Sequence, residues 1–229
     1  MRKLLINILL FSLIVFNGNA QQFMDRIDPT GSGALYKNNV LNQNENSKIE
    51  GSKYFDEEFR LAKVSGVPQQ IMIRYDAMMD IIEVQSENKE LFTLIKKAPC
   101  LSIRIIPYNN IIKLLNYETK EGELNGYLAE LLSLNNVALF RRYRVSLQRE
   151  KKAANAYLSA TPAKFIKTSD EYYLSLNDKT AIPLPKNRTE LQNLFPTHKK
   201  EIADYLKQND FSIKDEKSII EMVKFISKF

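Results

Sequence analysis

The residues nearest to chemistry lie in one stretch, Arg74-Tyr75-Asp76-Ala77-Met78-Met79-Asp80-Ile81-Ile82-Glu83. Carboxylates can act as general acid and base without histidine. A glycosidase sets two of them across a groove, about 5 to 10 Å apart. Asp76, Asp80 and Glu83 are the candidates here. If 70–76 and 80–85 are hairpin partners, Asp76 and Asp80 flank the turn. Arg74 can then pair with a cross-strand acid such as Glu83. Polarity and ion pairing of a hairpin are the commoner use of such residues. Asp56-Glu57-Glu58 forms a second acid cluster, and the chain holds no tryptophan to stack on a sugar. The spacing of the hairpin acids fits no calcium loop.

Other chemistries find fewer residues. His198 is the single imidazole and lies beside Lys199 and Lys200, with no carboxylate placed to hold it as a base. Cys100 is the single cysteine, read as a small buried apolar residue or a free thiol. Seven scattered glycines form no phosphate loop. The ligands of a zinc site are missing. The expectation is a protein without cofactor, metal or catalytic residue, and not an enzyme.

The elements that must position these residues read as a mainly β protein, an antiparallel meander with a C-terminal helical segment, α+β overall. Apolar runs with turn signals between them predict strands over 59–64, 70–76, 80–85, 90–96, 101–106, 110–117, 123–132, 137–148, 163–168, 171–176 and 179–184. Ile71, Ile73 and Tyr75 oppose Met72, Arg74 and Asp76, the alternation of a half-buried strand. Asn177-Asp178 suits a tight hairpin because both residues tolerate positive φ. Strands 101–106 and 110–117 are apolar on both faces, as in burial between layers or the lining of a lipid-holding cavity. Lys151 to Ala160 is alanine-rich and is read as a short helix. From residue 187 the period becomes helical. Asn187 with Glu190 resembles a capping box, Thr197 is placed to cap the next helix, and Ser212 with Asp215 offers a second box. The domain reading is a signal peptide over 1–20, a flexible arm over 21–50, an antiparallel β domain over 51–186 and helices packed on it over 187–229.

The N-terminus carries a targeting signal. Arg2 and Lys3 precede the apolar run Leu4 to Phe16, and Asn17-Gly18-Asn19-Ala20 offers small residues to a signal peptidase. Cleavage is expected after Ala20. The apolar run has 13 residues, short of the roughly 20 needed to span a bilayer, so no transmembrane segment is expected after leader cleavage. Loss of Arg2 and Lys3 lowers the formal net charge from +6 to +4. The segment 141–152 alone holds six basic residues against Glu150. The rest of the exported chain is therefore close to neutral, and a nucleic-acid partner is not expected. Read as one strand, 137–148 places Arg141 with Val137, Leu139, Tyr143, Val145 and Leu147, and Arg142 and Arg144 on the other face. A solvated sheet face is the ordinary meaning. The functional alternative is an interaction stripe of Arg142, Arg144, Arg149, Lys151 and Lys152 for an anionic partner such as a lipid headgroup or acidic glycan.

Several motifs form a pattern. Gly51-Ser52-Lys53-Tyr54-Phe55-Asp56-Glu57-Glu58-Phe59, Arg74-Tyr75-Asp76 with Asp80 and Glu83, Gly126-Tyr127-Leu128-Ala129-Glu130-Leu131-Leu132, Pro162-Ala163-Lys164-Phe165 with Tyr172-Tyr173, and Asp204-Tyr205-Leu206-Lys207-Gln208-Asn209 together resemble a functionally uncharacterised group of exported β-rich proteins common in Bacteroidota. The resemblance covers roughly 51–229. Lys53 departs from a usual proline and Asp76 from a usual asparagine. It implies export into a Gram-negative envelope and a single folding unit, and it transfers no catalytic residue. The functional expectation is an exported envelope protein, periplasmic, at the outer-membrane periphery or released, with a non-enzymatic binding or accessory role. Its partner would be an envelope protein or an anionic or apolar envelope ligand. The alternatives are an apolar-ligand (lipid) binding protein and a carboxylate-based glycan hydrolase acting through Asp76 or Asp80.

Overall fold

The computed structural model describes residues 36–38, 49–96, 102–151 and 160–229. The leader 1–20, most of the arm 21–50, Cys100, Lys152 and the helix expected over 151–160 fall wholly or largely outside these residues. The strands are β1 (Tyr36–Asn38), β2 (Arg60–Val64), β3 (Gln70–Asp76), β4 (Ile81–Gln85), β5 (Leu91–Leu94), β6 (Ser102–Ile105), β7 (Asn110–Thr119), β8 (Gly122–Leu134), β9 (Val137–Arg142), β10 (Val145–Gln148), β11 (Lys164–Lys167), β12 (Glu171–Leu176) and β13 (Ile182–Pro183). The helices are α1 (Arg188–Asn193), α2 (Lys199–Gln208) and α3 (Glu216–Ile226).

Eleven strands form one sheet in the order β1-β5-β4-β3-β2-β6-β7-β8-β9-β12-β13, and β10-β11 form a second. Every strand pairing is antiparallel. Most neighbours are consecutive in the chain, as short turns require. The pairings β1-β5, β2-β6 and β9-β12 join strands further apart. The turn after Leu176 has φ of 55° at Asn177 and 56° at Asp178, the geometry of a tight primed hairpin.

Alternation decides what each strand buries. In β3, Ile71, Ile73 and Tyr75 enter the main core with Ala62, Val84, Phe92, Ile103 and Leu114. Asp76 lies on the opposite face and is nevertheless fully buried. The segment 49–59 runs beside the end of β3 as a strap, with Tyr54 bridged to Asp76 and the Lys53 side chain closing on the Asp76 carboxylate. Phe55 N donates to Tyr75 O at 3.1 Å, and Ala77 N to Lys53 O at 3.0 Å. At its other end the strap meets β11, where Phe165 N donates to Glu50 O at 2.8 Å. Gly51 has φ of 83°, and a Cβ there would sit 2.7 Å from the Phe165 carbonyl oxygen. Only glycine fits both the left-handed backbone and the close approach.

The stretch 137–148 is two strands, not one. β9 ends at Arg142, where it pairs with Glu171 of β12, and β10 pairs with β11. Between them the Tyr143 ring packs on Phe55 at 3.9 Å between centroids. Thr168 N donates to the Arg144 carbonyl at 3.0 Å. The bend sends Val145 into the main core beside Phe165 and leaves Leu147 40% exposed. β9 itself is covered on both faces. Val137 and Leu139 pack under the helices, and Phe140 packs with Tyr117, Leu128 and Tyr173.

The helices bury one stripe each against β9 and β12. In α3 this is Ile219, Met222, Val223 and Ile226, an i, i+3, i+4, i+7 face. Ile202 and Leu206 of α2 join them over Leu139 and Leu174. Each such side chain contributes roughly 1.5–3 kcal/mol on full burial. Asn187 caps α1 through Glu190 N at 2.9 Å, as its spacing suggests. The other two caps differ from the sequence reading. α2 follows a 3₁₀ turn, Pro196–His198, and has no side-chain cap from Thr197. α3 is capped by Asp215, which accepts from Lys217 N and Ser218 N, while Ser212 stands outside the helix.

Candidate functional site

The acids around the β3–β4 turn come together with Arg74, and they are engaged within the protein. The register sets Arg74 opposite Glu83. The Arg74 guanidinium donates to Glu83 Oε2 at 2.7 Å and to the Tyr54 hydroxyl at 2.9 Å, and that hydroxyl donates to Glu83 Oε1 at 3.3 Å. The Tyr54 and Phe59 rings lie 3.7 and 4.3 Å from the guanidinium carbon. Asp76 accepts Met78 N and Met79 N on Oδ1 and pairs with Lys53 through Oδ2 at 2.7 Å. One carboxylate oxygen thus closes the turn and the other fastens the strap.

Asp80 turns the opposite way, with φ of 53°. It accepts the Tyr75 hydroxyl at 2.8 Å, Tyr127 N at 3.2 Å and Lys96 Nζ at 2.5 Å. Tyr127 belongs to β8, four places from β3 in the strand order, so the sheet curls until the hairpin turn meets β8. A Cβ on Gly126 would lie 2.5 Å from Asp80 Oδ2. Burial together with the Asp80 charge pushes the Tyr75 and Tyr127 phenols well above their ordinary range. The motifs singled out in the sequence are therefore contacts with one another: Gly51 with Phe165, Lys53 with Asp76, Tyr54 with Arg74 and Glu83, Asp80 with Gly126. Their geometry is that of a lock. Among the described residues, neither Asp76 nor Asp80 lines the cleft that holds Arg142 and Arg144.

The basic stripe divides. Arg149 and Lys151 are exposed on the chain beyond β10. Arg142 and Arg144 instead line a cleft of about 550 Å³. Its walls are the β7–β8 turn with Lys120 and Glu121, Leu124 of β8, the start of β12 with Asp170 to Tyr173, Pro183, Leu184 and Lys186 after it, and Ile213 ahead of α3. Nothing in the sequence pattern brought 119–124, 183–186 and 213 together, because they meet through non-local contacts, among them the β9-β12 pairing and the bridge from Tyr117 of β7 to Ala181 ahead of β13. The local signals were Arg142 and Arg144 of the basic stripe and the two neighbouring tyrosines, Tyr172-Tyr173.

Within the cleft two guanidiniums converge on one carboxylate. Arg144 donates to Glu171 Oε1 at 2.8 Å and Arg142 to Oε2 at 3.2 Å. Arg142 sits over the Tyr117 ring at 5.2 Å, and Tyr117 meets Tyr173 edge to face at 5.0 Å. Burial raises the Glu171 carboxyl, but the hydrogen bond and charge of Arg144 and the charge of Arg142 outweigh it and hold the group below the usual range. Asp170 moves the other way, raised by burial despite Arg141. Tyr172 donates to Glu216 at 3.1 Å, and burial with that acid pushes its phenol up to about 12. Tyr117 is likewise pushed up to about 12, chiefly by burial.

Among the described residues no group of three or more His, Cys, Asp or Glu side chains is placed to hold a metal ion. No helix among them is long and apolar enough to cross a membrane. Comparison with known proteins found no matching family model, no matching curated protein and no matching solved structure.

Proposed function

We propose that the chain is an exported binding protein of a bacterial envelope, related to the Bacteroidota group its motifs resemble, and that it acts by holding a partner or ligand without a reactive centre of its own. The observation that carries this reading is the 550 Å³ cleft, which sets Arg142 and Arg144 beside apolar and aromatic walls. Pockets that hold small ligands have this size and this mixture of apolar lining with few convergent polar groups. The leader-like first 20 residues support export. The buried, paired state of Asp76 gives the hydrolase alternative no support from geometry.

Gentle extraction of the protein from its native envelope, followed by mass spectrometry, tests both parts. The mature N-terminus should be Gln21. A protein or small molecule should be retained by the natural chain and lost from Leu124→Trp, which fills the cleft from its exposed wall. A leader still attached, or equal retention by both chains, speaks against the proposal. Whether the retained species is a protein or a small amphiphile decides between adaptor and ligand carrier.

A further inference from the structure

We propose that the cleft recognises an anionic head group, carboxylate or phosphate, carried on an apolar body, and that the Glu171 carboxylate competes with that head group for the two guanidiniums. This rests on the reading of the cleft as the binding site and specifies its ligand. Four observations converge on it.

Glu171 takes one donor from each of two guanidiniums. Both have N–H groups to spare, and a guanidinium pair matches the oxygens of a carboxylate or phosphate. The pair is half fixed and half adaptable. Arg142 is held over Tyr117 with its side chain 20% exposed, whereas the Arg144 side chain is 48% exposed and can follow a ligand. Lys120 and Lys186 stand exposed at the rim, with no acid paired to either among the described residues. The cleft thus lines four cations against Glu121, Asp170 and Glu171, and Asp170 lies 3.8 Å from Arg141, outside the pair. One further negative charge balances the site.

The body of the ligand follows from the remaining walls. Leu124, Leu184, Pro183, Ile213 and the Tyr172 ring are apolar surface, and Leu124 is 42% exposed. An ordinary solvated ion pair needs no such wall. Glu171 lies on β12 in register with Arg142, so its backbone cannot leave. It surrenders hydrogen bonds to an incoming anion while staying close. It is therefore a built-in competitor that weakens binding and keeps the guanidiniums aligned before the ligand arrives.

Calorimetry on the mature protein with dodecyl phosphate, dodecyl maltoside and inorganic phosphate tests this, with circular dichroism to show that each variant is folded. Dodecyl phosphate should bind at least about tenfold more tightly than either other probe, the scale of a charge-assisted hydrogen bond. Glu171→Gln should tighten it severalfold, because the competing charge is gone and the shape is kept. Arg144→Ala should weaken it about tenfold and leave dodecyl maltoside unchanged. Co-sedimentation with phosphatidylglycerol vesicles would trace the head group to a membrane lipid. Its absence, with dodecyl phosphate bound, would trace it to a soluble amphiphile, and either result agrees with the proposal. Equal affinity for the maltoside, or no gain in Glu171→Gln, overturns the head-group assignment and leaves the cleft a binding site. Failure of all three probes, with nothing retained from the envelope, removes the binding reading as well.

Discussion

At the scale of single residues, the charges around β3 and β4 work as fasteners, and their failure should be costly. Glu83 is 2% exposed and meets Arg74 and Tyr54. Arg74→Ala leaves that carboxylate short of its main countercharge, a loss that costs about 3–5 kcal/mol in buried pairs. Because Arg74 retains some solvent contact, the expected loss is about 3 kcal/mol, read as a lower urea midpoint with unchanged slope. Gly126→Ala should cost about 1–3 kcal/mol, because its new Cβ meets Asp80 Oδ2. Adding Asp80→Ala removes the clash, so the double variant should lose less than the two single losses added together. A strictly additive cycle would show that Asp80 is not what Gly126 accommodates.

At the scale of elements, the helices and most strands were legible because their periods are regular. The helical period after residue 187 and the alternation of β3 appear in the structure as the sequence suggests, the α3 stripe being Ile219, Met222, Val223 and Ile226. Arg74 against Glu83 was also readable, since a short turn fixes the register of a hairpin. What failed was the break at Tyr143. An alternation broken only by Arg141 runs through 137–148, and what marks where the strand leaves its sheet is distant in the chain, including the ring of Phe55, 88 positions away. The complete cleft was illegible for the same reason, being built from non-local pairings. The cap of α3 shows a subtler miss. Ser212 and Asp215 both have capping chemistry, and the extended backbone at Asp215 decides between them. Asp215→Ala should therefore lower stability by about 1 kcal/mol, and Ser212→Ala by less, as measured by thermal unfolding of the two variants side by side.

At the scale of the whole molecule, the buried Tyr117 phenol and the half-buried Tyr172 phenol make stability depend on alkaline pH. Tyr117 and Tyr172 titrate near 12 in the folded chain, against about 10 when unfolded. Below the lower value both states keep the proton and neither group contributes. Between the two values the unfolded chain gives up protons that the folded chain retains, so unfolding becomes easier as pH rises. The urea midpoint should be lower at about pH 11 than at about pH 9. A phenylalanine at both positions should reduce that dependence, and the phenols of Tyr75 and Tyr127, raised as well, should sustain the remainder. The strap carries a different consequence. Its Gly51 rests against Phe165, and β2 waits for β6, so many native contacts close large loops. Chain search of that kind puts refolding in the class of milliseconds to seconds. A stopped-flow trace should show the clasp between the two distant segments among the last events, well after the local hairpins have formed.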